Sequence, residues 1–200
     1  MALDRQRIIS EAVALLDAEG FENVTLRKLA ARLGVQAPTL YWHIPNKAAL
    51  VTAIAEEILT PPPATPLAAG ERWPEWLLEV ACRLRKALLA HPDGARIISM
   101  AQLSRNMAAL SETAMRTLVE QGVPLHQARV TVLTMERFTI GFVLEEQAPR
   151  PDEEALKTWD LDAFSKLYPT VIAGITEYFT PGRTVDDLFR DCATQILPGG

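Results

Sequence analysis

The residues best suited to binding chemistry form the stretch TLYWHIPNK, residues 39–47, in which three large rings stand side by side. Neighbouring residues of a helix point about 100° apart, so Tyr41, Trp42 and His43 cannot all share one buried face. At least one ring should therefore face solvent, close to the ammonium group of Lys47. Exposed hydroxyl, ring and ammonium groups in one short segment suit contact with the phosphates and bases of nucleic acid.

The residues that precede and begin this stretch have the spacing of a helix-turn-helix. Thr25 can cap a short helix, LRKLAARL, which Gly34 ends with a left-handed turn. Ala30 is small enough for two helices to cross closely, and a second helix begins near Gln36 with Pro38 in its first turn. A helix placed in this way can enter the major groove of DNA. The alternative is that the rings belong to the core and the lysine is merely solvated, but the helix-turn-helix spacing argues against it.

Residues for other chemistries are sparse. His43, His91 and His126 form no grouping typical of a metal site or a catalytic triad, and the phosphate-binding patterns GxGxxG and GxxxxGK are absent. We therefore expect no enzymatic activity, no cofactor and no metal site. A helical protein-interaction module that does not bind DNA is the remaining alternative. Salt-dependent retention on heparin or DNA resin would separate it from a DNA-binding protein.

Composition and charge are those of an ordinary globular protein, with 48% hydrophobic and 22% charged residues in a chain of 200. The net charge of −5 argues against indiscriminate binding to nucleic acid. Residues 1–50, however, hold six basic and five acidic residues, so an N-terminal segment that faces DNA is permitted. No apolar run approaches 18 residues and no signal peptide is visible, so we expect a cytoplasmic protein without membrane association. Cys82 and Cys192 should then be reduced.

Hydrophobic periodicity predicts an all-α fold. Apolar residues recur at helical spacing from the segment after Asp4 onward, and no alternating strand pattern of any length occurs. The proline-rich stretch TPPPATPLAAGE, residues 60–71, is the best candidate for a domain boundary. A polar, proline-marked loop is predicted at 147–162. Beyond the first four helices, further helices are predicted at 73–88, 103–118, 125–146, 169–179 and 185–197.

The segment TLRKLAARLGVQAPTLYWHIPNKAALVTAIAEEIL resembles the DNA-binding domain of the tetracycline-repressor (TetR) family of bacterial regulators, and ALLAHPDGARI, LVEQGV and FTIGFVLEEQ resemble its ligand domain. The resemblance covers roughly residues 4 to 147. It implies a ligand-responsive transcriptional repressor that binds a palindromic operator as an all-helical homodimer. Residues 1–46 would form the helix-turn-helix DNA-binding domain, 47–60 a connecting helix, and 61–200 a larger helical domain for ligand binding and dimerisation.

The same resemblance implies a set of DNA contacts, position by position. These are Thr25, Arg27, Gln36, Ala37, Pro38, Thr39, Tyr41, Trp42, His43 and Lys47. Ala37 stands where tetracycline-binding members of the family have a polar residue that reads a base. The identity of the operator therefore does not follow from the resemblance.

The ligand domain departs further from the tetracycline-binding members, which bind a drug–magnesium chelate. Their metal-binding histidine aligns with Ile98, and only Glu145, which would help hold the metal through water, matches. Their drug-binding polar residues align with Pro62, Val80, Gln102 and Ala114. One carboxylate does not make an octahedral magnesium site, so tetracycline–magnesium is not the expected ligand.

An apolar pocket for a small hydrophobic effector is expected instead, with adaptable methionines in its wall. For each single residue the alternative is plain core packing. The predicted lining consists of Val80, Leu84, Ile98, Met100, Leu103, Ala114, Met115, Met135 and Phe138.

The late helices predict a two-fold assembly. The helix at 125–146 carries apolar residues on more than one face, and the helix at 185–197 has Phe189 in the middle of an apolar stripe. A terminal helix with such a face must dock somewhere. We expect both helices to pair with their symmetry mates in a homodimer, which would also hold two recognition helices a fixed distance apart.

Overall fold

The computed structural model describes residues 3–101, 103–152, 154 and 159–198. Its regular elements are helices, and no strand occurs among these residues, which confirms the predicted all-α class. The helices of the described residues are α1 (Arg5–Glu19), α2 (Leu26–Leu33), α3 (Ala37–Tyr41), α4 (Lys47–Ile58), α5 (Trp73–Leu89), α6 (Gly94–Met100), α7 (Arg105–Glu120), α8 (Leu125–Glu146), α9 (Leu161–Leu167), α10 (Pro169–Tyr178) and α11 (Val185–Thr194). A 3-10 turn at Phe21–Asn23 follows α1. None of these helices is both long and apolar enough to cross a membrane.

The first helices begin and end at residues that the sequence predicts. The Asp4 carboxylate accepts a 2.8 Å hydrogen bond from an N–H in the first turn of α1. The Thr25 hydroxyl accepts one of 3.2 Å from the Lys28 N–H at the start of α2. Gly34 ends α2 with φ +67°, a conformation that favours glycine, and its N–H and that of Val35 bond back to carbonyls of α2. This tight turn lets α3 pack against α2.

Two short helices are absent from the prediction. α6 occupies a segment to which no helix is assigned from the sequence, and α9 begins inside the predicted loop at 147–162. Each has seven residues, which are too few for a period of 3.6 to stand out. The close approach of α6 to α5 depends on Gly94, because a Cβ at this position would lie 2.2 Å from the carbonyl oxygen of Leu88.

Two helix ends differ from the prediction by a few residues. α7 begins at Arg105, because the Ser104 hydroxyl accepts a 3.1 Å hydrogen bond from the Met107 N–H and caps the helix there. Leu103 therefore lies outside α7. At the other end of the chain, α11 ends at Thr194 rather than at 197.

The buried apolar side chains form one continuous core that begins in α1 and reaches α11. α4 contributes to this core along most of its length, with Leu50, Ile54 and Ile58 buried. It packs against α1, which precedes the helix-turn-helix, and also against α6. α4 is therefore in contact with both the N-terminal helices and the larger group of helices.

The Phe189 ring, in the middle of the apolar stripe of α11, is covered by its own chain, so this residue is not part of the surface predicted to pair with a symmetry mate. This ring is fully buried, and its centroid lies 5.5 Å from that of Phe138 and 5.2 Å from that of Phe142, both on α8. The Arg85 guanidinium lies 5.1 Å from the Phe189 centroid while it donates two hydrogen bonds to Glu146. Phe189 is thus a core residue of the single chain.

Other large apolar side chains are left exposed in the single chain, on α9 and on and just after α10. Neither helix contains a buried residue. Val171, Ile175 and Phe179 follow one another at helical spacing, and Ile175 is 52% exposed. Leu161 and Leu167 of α9 are 64% and 71% exposed. These five residues are called the α9–α10 face below.

Candidate nucleic-acid interface and ligand cleft

α3 is held by two buried side chains and presents two rings to solvent. Leu40 and Ile44 are almost completely buried against the N-terminal core. Trp42, between them in sequence, is 89% exposed, and Tyr41 is 52% exposed. Because exposing so large an apolar ring to water is unfavourable, and Tyr41 stands exposed beside it, this surface is a candidate for contact with another molecule.

The ten predicted DNA-contact residues lie on three consecutive elements: the start of α2, α3 with its flanking residues, and the first residue of α4. Two of them, Ala37 and His43, are partly buried. The other eight are exposed, namely Thr25, Arg27, Gln36, Pro38, Thr39, Tyr41, Trp42 and Lys47. A partner molecule could therefore reach most of the predicted set from solvent.

The basic residues near α3 differ in how far their charge is already neutralised. Lys28 is paired with Glu19, and the Arg32 Nε lies 2.5 Å from an oxygen of Glu11. Arg27 has no ion-pair partner among the described residues, and it is exposed. Its charge is therefore available to a phosphate, which the sequence alone could not distinguish from that of its neighbours.

Lys47 is available in a different way. Its Nζ lies 4.6 Å from the ring centroid of Phe21, which is a cation–π distance. The side chain is exposed, so the ammonium group keeps contact with solvent while the ring restricts its position.

Phe21 also joins the N-terminal helices to the loop between α5 and α6 and to α6 itself. Its N–H donates a 3.0 Å hydrogen bond to Asp93, and the Arg96 guanidinium lies 4.9 Å from its ring centroid. Nearby, the His91 ring nitrogen Nδ1 lies 2.8 Å from an Asp17 oxygen. These contacts fix the end of α1 against the beginning of α6.

A second connection runs from α4 to α7. The Glu56 carboxylate of α4 accepts hydrogen bonds from the backbone N–H groups of Arg105, at 2.6 Å, and Asn106, at 3.0 Å. N–H groups in the first turn of a helix such as α7 have no acceptor within the helix, and the helix dipole favours a negative charge beside them. A shift of α7 would therefore displace Glu56 or break its hydrogen bonds, and so change the position of α4, which packs on α1.

The predicted ligand residues do not line one common cavity. Val80, Leu84 and Met135 are buried and line an interior void of about 10 Å³, which is barely large enough for one water molecule. Ala114 is fully buried on α7, and Met115 is partly buried on the same helix. The void beside Val80, Leu84 and Met135 is far too small for a drug-sized ligand.

The remaining four predicted ligand residues lie elsewhere. Phe138 packs in the aromatic cluster with Phe189, whereas Met100 and Leu103 are 50% and 87% exposed. Ile98 is buried on α6 and borders an open cleft of about 400 Å³ between α6, α7 and α8, called the α6–α8 cleft below. Its lining consists of Ile98, Ser99, Ala101, Met107, Leu133, Glu136, Arg137, Ile140, Gly141 and Leu144.

Of the ten residues that line this cleft, the sequence predicted only Ile98, and the buried acidic residue among the nine others is Glu136 of α8. It is only 8% exposed, and it borders both the α6–α8 cleft and the interior void. Burial raises the pKa of its carboxyl group, against the opposing effects of the Ser111 hydrogen bond and the Arg137 charge. A signal was present in the sequence, because Glu136 lies on the buried stripe of α8 that also contains Val132 and Val143.

The residues aligned with a magnesium site are not arranged as one. Ile98 offers no ligand atom, and Glu145 is exposed on α8. No group of three or more His, Cys, Asp or Glu side chains that could hold a metal occurs among the described residues. Of the positions aligned with drug-binding residues, Pro62 is exposed and Gln102 lies outside the described part of the chain.

Comparison with known proteins places both halves of the chain. Residues 8–54 match the family "Bacterial regulatory proteins, tetR family", and residues 65–187 match "Tetracyclin repressor-like, C-terminal domain". The tetracycline repressor protein class C of Escherichia coli is 40% identical over 154 residues, which are 76% of this chain and 70% of that protein.

Solved structures agree with these matches. A variant of TetR from Acinetobacter baumannii AYE, in complex with minocycline, has a TM-score of 0.72 at 31% identity, over 98% of this chain and 92% of that one. BioQ with its double-stranded DNA operator has a TM-score of 0.67 at 31% identity, over 74% of this chain and 90% of that one. One neighbour is thus bound to a small molecule and the other to DNA.

Proposed function

Because the chain belongs to the TetR family of bacterial regulatory proteins, it is a ligand-responsive DNA-binding repressor, and we propose that it binds a palindromic operator as a homodimer and leaves it when a hydrophobic small molecule binds. In this proposal residues 1–46 bind DNA, α4 connects the two parts, and residues 61–200 bind the ligand and the second copy. The protein would act in the cytoplasm, where bacterial DNA lies.

The observation that carries the DNA-binding proposal is the exposure of Trp42 and Tyr41 at the end of a helix that two buried side chains anchor. The buried Leu40 and Ile44 support α3 from below, so its outer residues keep their position. Arg27 supplies a charge that no acidic side chain of the described residues neutralises. This combination supports docking in the major groove with phosphate contacts on both sides.

A homodimer is proposed because the α9–α10 face exposes large apolar side chains to solvent in the single chain, and a second copy could bury them. The five apolar residues of this face are between 43% and 71% exposed in the single chain. A second copy related by a two-fold axis would bury the same face of both chains. Leu125 and Val130 of α8, which are 67% and 63% exposed, offer further apolar area for an interface.

Release of DNA is proposed to run through α4. This helix packs on α6, and its Glu56 caps α7, so a ligand between α6, α7 and α8 contacts the same helices that hold α4. A coupling free energy of about 1–3 kcal/mol would change operator affinity by roughly 5- to 150-fold.

We further propose that tetracycline–magnesium is not the effector. The support is chemical, since Ile98 and Ala114 provide no metal ligand or hydrogen bond where tetracycline-binding members have polar groups. In a melting experiment, a ligand present at 100 times its Kd would stabilise the protein by about 2.7 kcal/mol. Tetracycline with magnesium should produce no such stabilisation, and a clear one would refute this part of the proposal.

The experiment that tests the central proposal is selection of DNA by the full-length chain from a random duplex pool, followed by footprinting. We expect the selected sequences to share a two-fold symmetric site whose half-sites lie about one helical turn apart, bound with an affinity that falls steeply with salt. Recovery of no common sequence, or binding that does not depend on salt, would contradict it.

A further inference from the structure

We propose that the α6–α8 cleft binds cationic amphiphiles, which are molecules with an apolar body and one protonated amine, and that the Glu136 carboxylate pairs with the amine. This inference rests on the proposed function, because it names the class of effector for the ligand-responsive domain.

The shape and composition of the cleft suit the apolar part of such a molecule. Its volume of about 400 Å³ is in the range of drug-sized binding sites. Six of its ten lining residues have apolar side chains, namely Ile98, Ala101, Met107, Leu133, Ile140 and Leu144. Burial of an alkyl or aryl group against these walls would supply most of the affinity, at about 25 cal/mol per Å² of apolar surface.

Glu136 is placed to recognise a donor group inside this apolar cleft. One of its carboxylate oxygens accepts a 2.6 Å hydrogen bond from the Ser111 hydroxyl of α7. Within the described part of the chain, the Glu136 carboxylate accepts this one hydrogen bond. An ionised carboxylate can accept several. The second oxygen therefore has free capacity for a donor that enters from the cleft.

The positions of the two ionisable lining residues determine which ligand charge is favoured. Glu136 is 8% exposed, and its charge is therefore weakly screened. Arg137 is exposed, so water screens its guanidinium and an ion pair there contributes little. A cation near Glu136 consequently gains more than an anion near Arg137.

Burial makes the ionised form of the Glu136 carboxyl group unfavourable in the empty cleft. A bound ammonium group would offset this desolvation penalty. Without a ligand, desolvation raises the pKa of Glu136. An ammonium group beside it would favour the ionised form and lower that pKa again. Binding should therefore become tighter as the pH rises through the raised pKa, and at a pH below that pKa it should release a proton.

The site is also placed to affect DNA binding. α6 contributes Ile98, Ser99 and the following Ala101 to the cleft, and α6 packs on α4. Ser111, which holds Glu136, belongs to α7, the helix that Glu56 of α4 caps. A ligand bound to Glu136 would thus act on α6 and α7, both of which contact α4.

The test uses three probes of equal chain length, decylamine, decanol and decanoate, titrated into the full-length protein below their micelle concentrations. Isothermal calorimetry in two buffers of different ionisation enthalpy measures affinity and proton release together. We expect decylamine to bind about tenfold more tightly than decanol or decanoate, as a buried charge-assisted hydrogen bond would give, and to release a proton in titrations at a pH below the raised pKa of Glu136. Decanoate or decanol binding as tightly as decylamine would overturn the proposal.

Two variants sharpen the result. Glu136→Gln keeps an acceptor for Ser111 but removes the charge, and it should weaken decylamine about tenfold while decanol changes less than about threefold. Glu112→Gln, which removes an exposed carboxylate next to Ser111, is the matched control and should change neither. Unchanged decylamine binding by Glu136→Gln would also overturn the proposal. Operator binding by the wild-type protein is measured in parallel, so failure here is distinguishable from failure of the proposed function.

Discussion

Glu56 and Asn106 are joined by two hydrogen bonds between α4 and α7. The Glu56 carboxylate accepts from the Asn106 backbone N–H at 3.0 Å, and the Asn106 side-chain amide donates to the Glu56 carbonyl at 2.9 Å. One residue of the connecting helix thus holds both the backbone and the side chain at the start of α7. The link is polar, unlike the core contacts that α4 makes through its buried apolar residues.

The first prediction is that Glu56→Gln lowers the free energy of unfolding by about 1 kcal/mol, because α7 loses a charged cap at its N-terminus. Urea denaturation at a fixed protein concentration measures the loss. Glu57→Gln is the control, since that carboxylate accepts only an exposed hydrogen bond from Gln6, and its effect should stay within about 0.5 kcal/mol. Equal losses in the two variants would show that the cap is unimportant.

The second prediction concerns α3, where neighbouring residues should have opposite effects. Trp42→Ala should abolish specific DNA binding and leave the melting temperature nearly unchanged, because the ring is 89% exposed. Leu40→Ala should instead destabilise the fold by about 2–5 kcal/mol, since its side chain is fully buried. Thermal melting and a mobility-shift assay on the selected site give both quantities. Retained DNA binding by folded Trp42→Ala would argue that this ring serves another partner.

The third prediction separates two adjacent basic residues. Arg27→Ala should make the slope of log K against log salt shallower by about one unit per half-site, because an unpaired guanidinium that contacts a phosphate is lost. Lys28→Ala should change the slope much less, because Glu19 already pairs with its ammonium group. The slopes are measured between low and physiological salt. The reverse order of effects would mean that the ion pair at Lys28 opens on DNA.

The fourth prediction concerns assembly. Ile175→Asp should convert the dimer to a folded monomer of 22.1 kDa that binds DNA weakly, because it places a charge on the α9–α10 face. Phe189→Asp should give an unfolded or insoluble chain, because it buries that charge between Phe138 and Phe142. Light scattering and circular dichroism distinguish the two outcomes. A dimer of unchanged affinity in Ile175→Asp would place the interface on another surface.

The fifth prediction is a pH dependence caused by Glu136. Its pKa is raised by burial in the folded chain, so the folded state holds this proton more strongly than the unfolded state does. Stability should therefore fall as the pH rises from about 4.3, the ordinary glutamate value, through the raised pKa. Glu136→Gln removes this loss while Ser111 keeps an acceptor.

The variant and wild type should thus be similar in stability at pH 4, and the variant should be the more stable at pH 8. Chemical denaturation at several pH values measures the difference. Arg137 and Ser111 are present in both proteins, so their contributions largely cancel. A difference that does not change with pH would mean that Glu136 titrates normally.

Local patterns in the sequence were sufficient for the helix-turn-helix. The cap at Thr25, the left-handed turn at Gly34 and the start of α3 depend on contacts between residues a few positions apart. The 3.6-residue period likewise predicted α5, α8 and α10, and each predicted end lies within one residue of the observed end. Short helices were not predicted from this period. α6 has only seven residues, and its position depends on the close packing of Gly94 against the Leu88 carbonyl group.

Side-chain partners far apart in the sequence could not be obtained in this way. The prediction treated Phe189 as interfacial because its stripe is apolar, but only the packed structure shows that Phe138 and Phe142 of the same chain cover it. Similarly, all basic residues near α3 look alike in the sequence. Pairing with Glu19 and Glu11 removes Lys28 and Arg32 from the available set and leaves Arg27 and Lys47.

The sequence by itself therefore determined the helical class, the helix-turn-helix and the exposure of at least one of the rings at 41–43, because these follow from backbone preferences and periodicity over one or two turns. The structure decided that Trp42 and Tyr41 are the exposed rings and that His43 is partly buried. The tertiary structure decided which apolar faces remain uncovered, which charges remain unpaired and where a ligand could enter. Glu136 shows the difference most clearly: it is one acidic residue in an amphipathic helix until α6 and α7 pack around it. Burial and pairing depend on distances between residues remote in sequence, and the fold alone sets those distances.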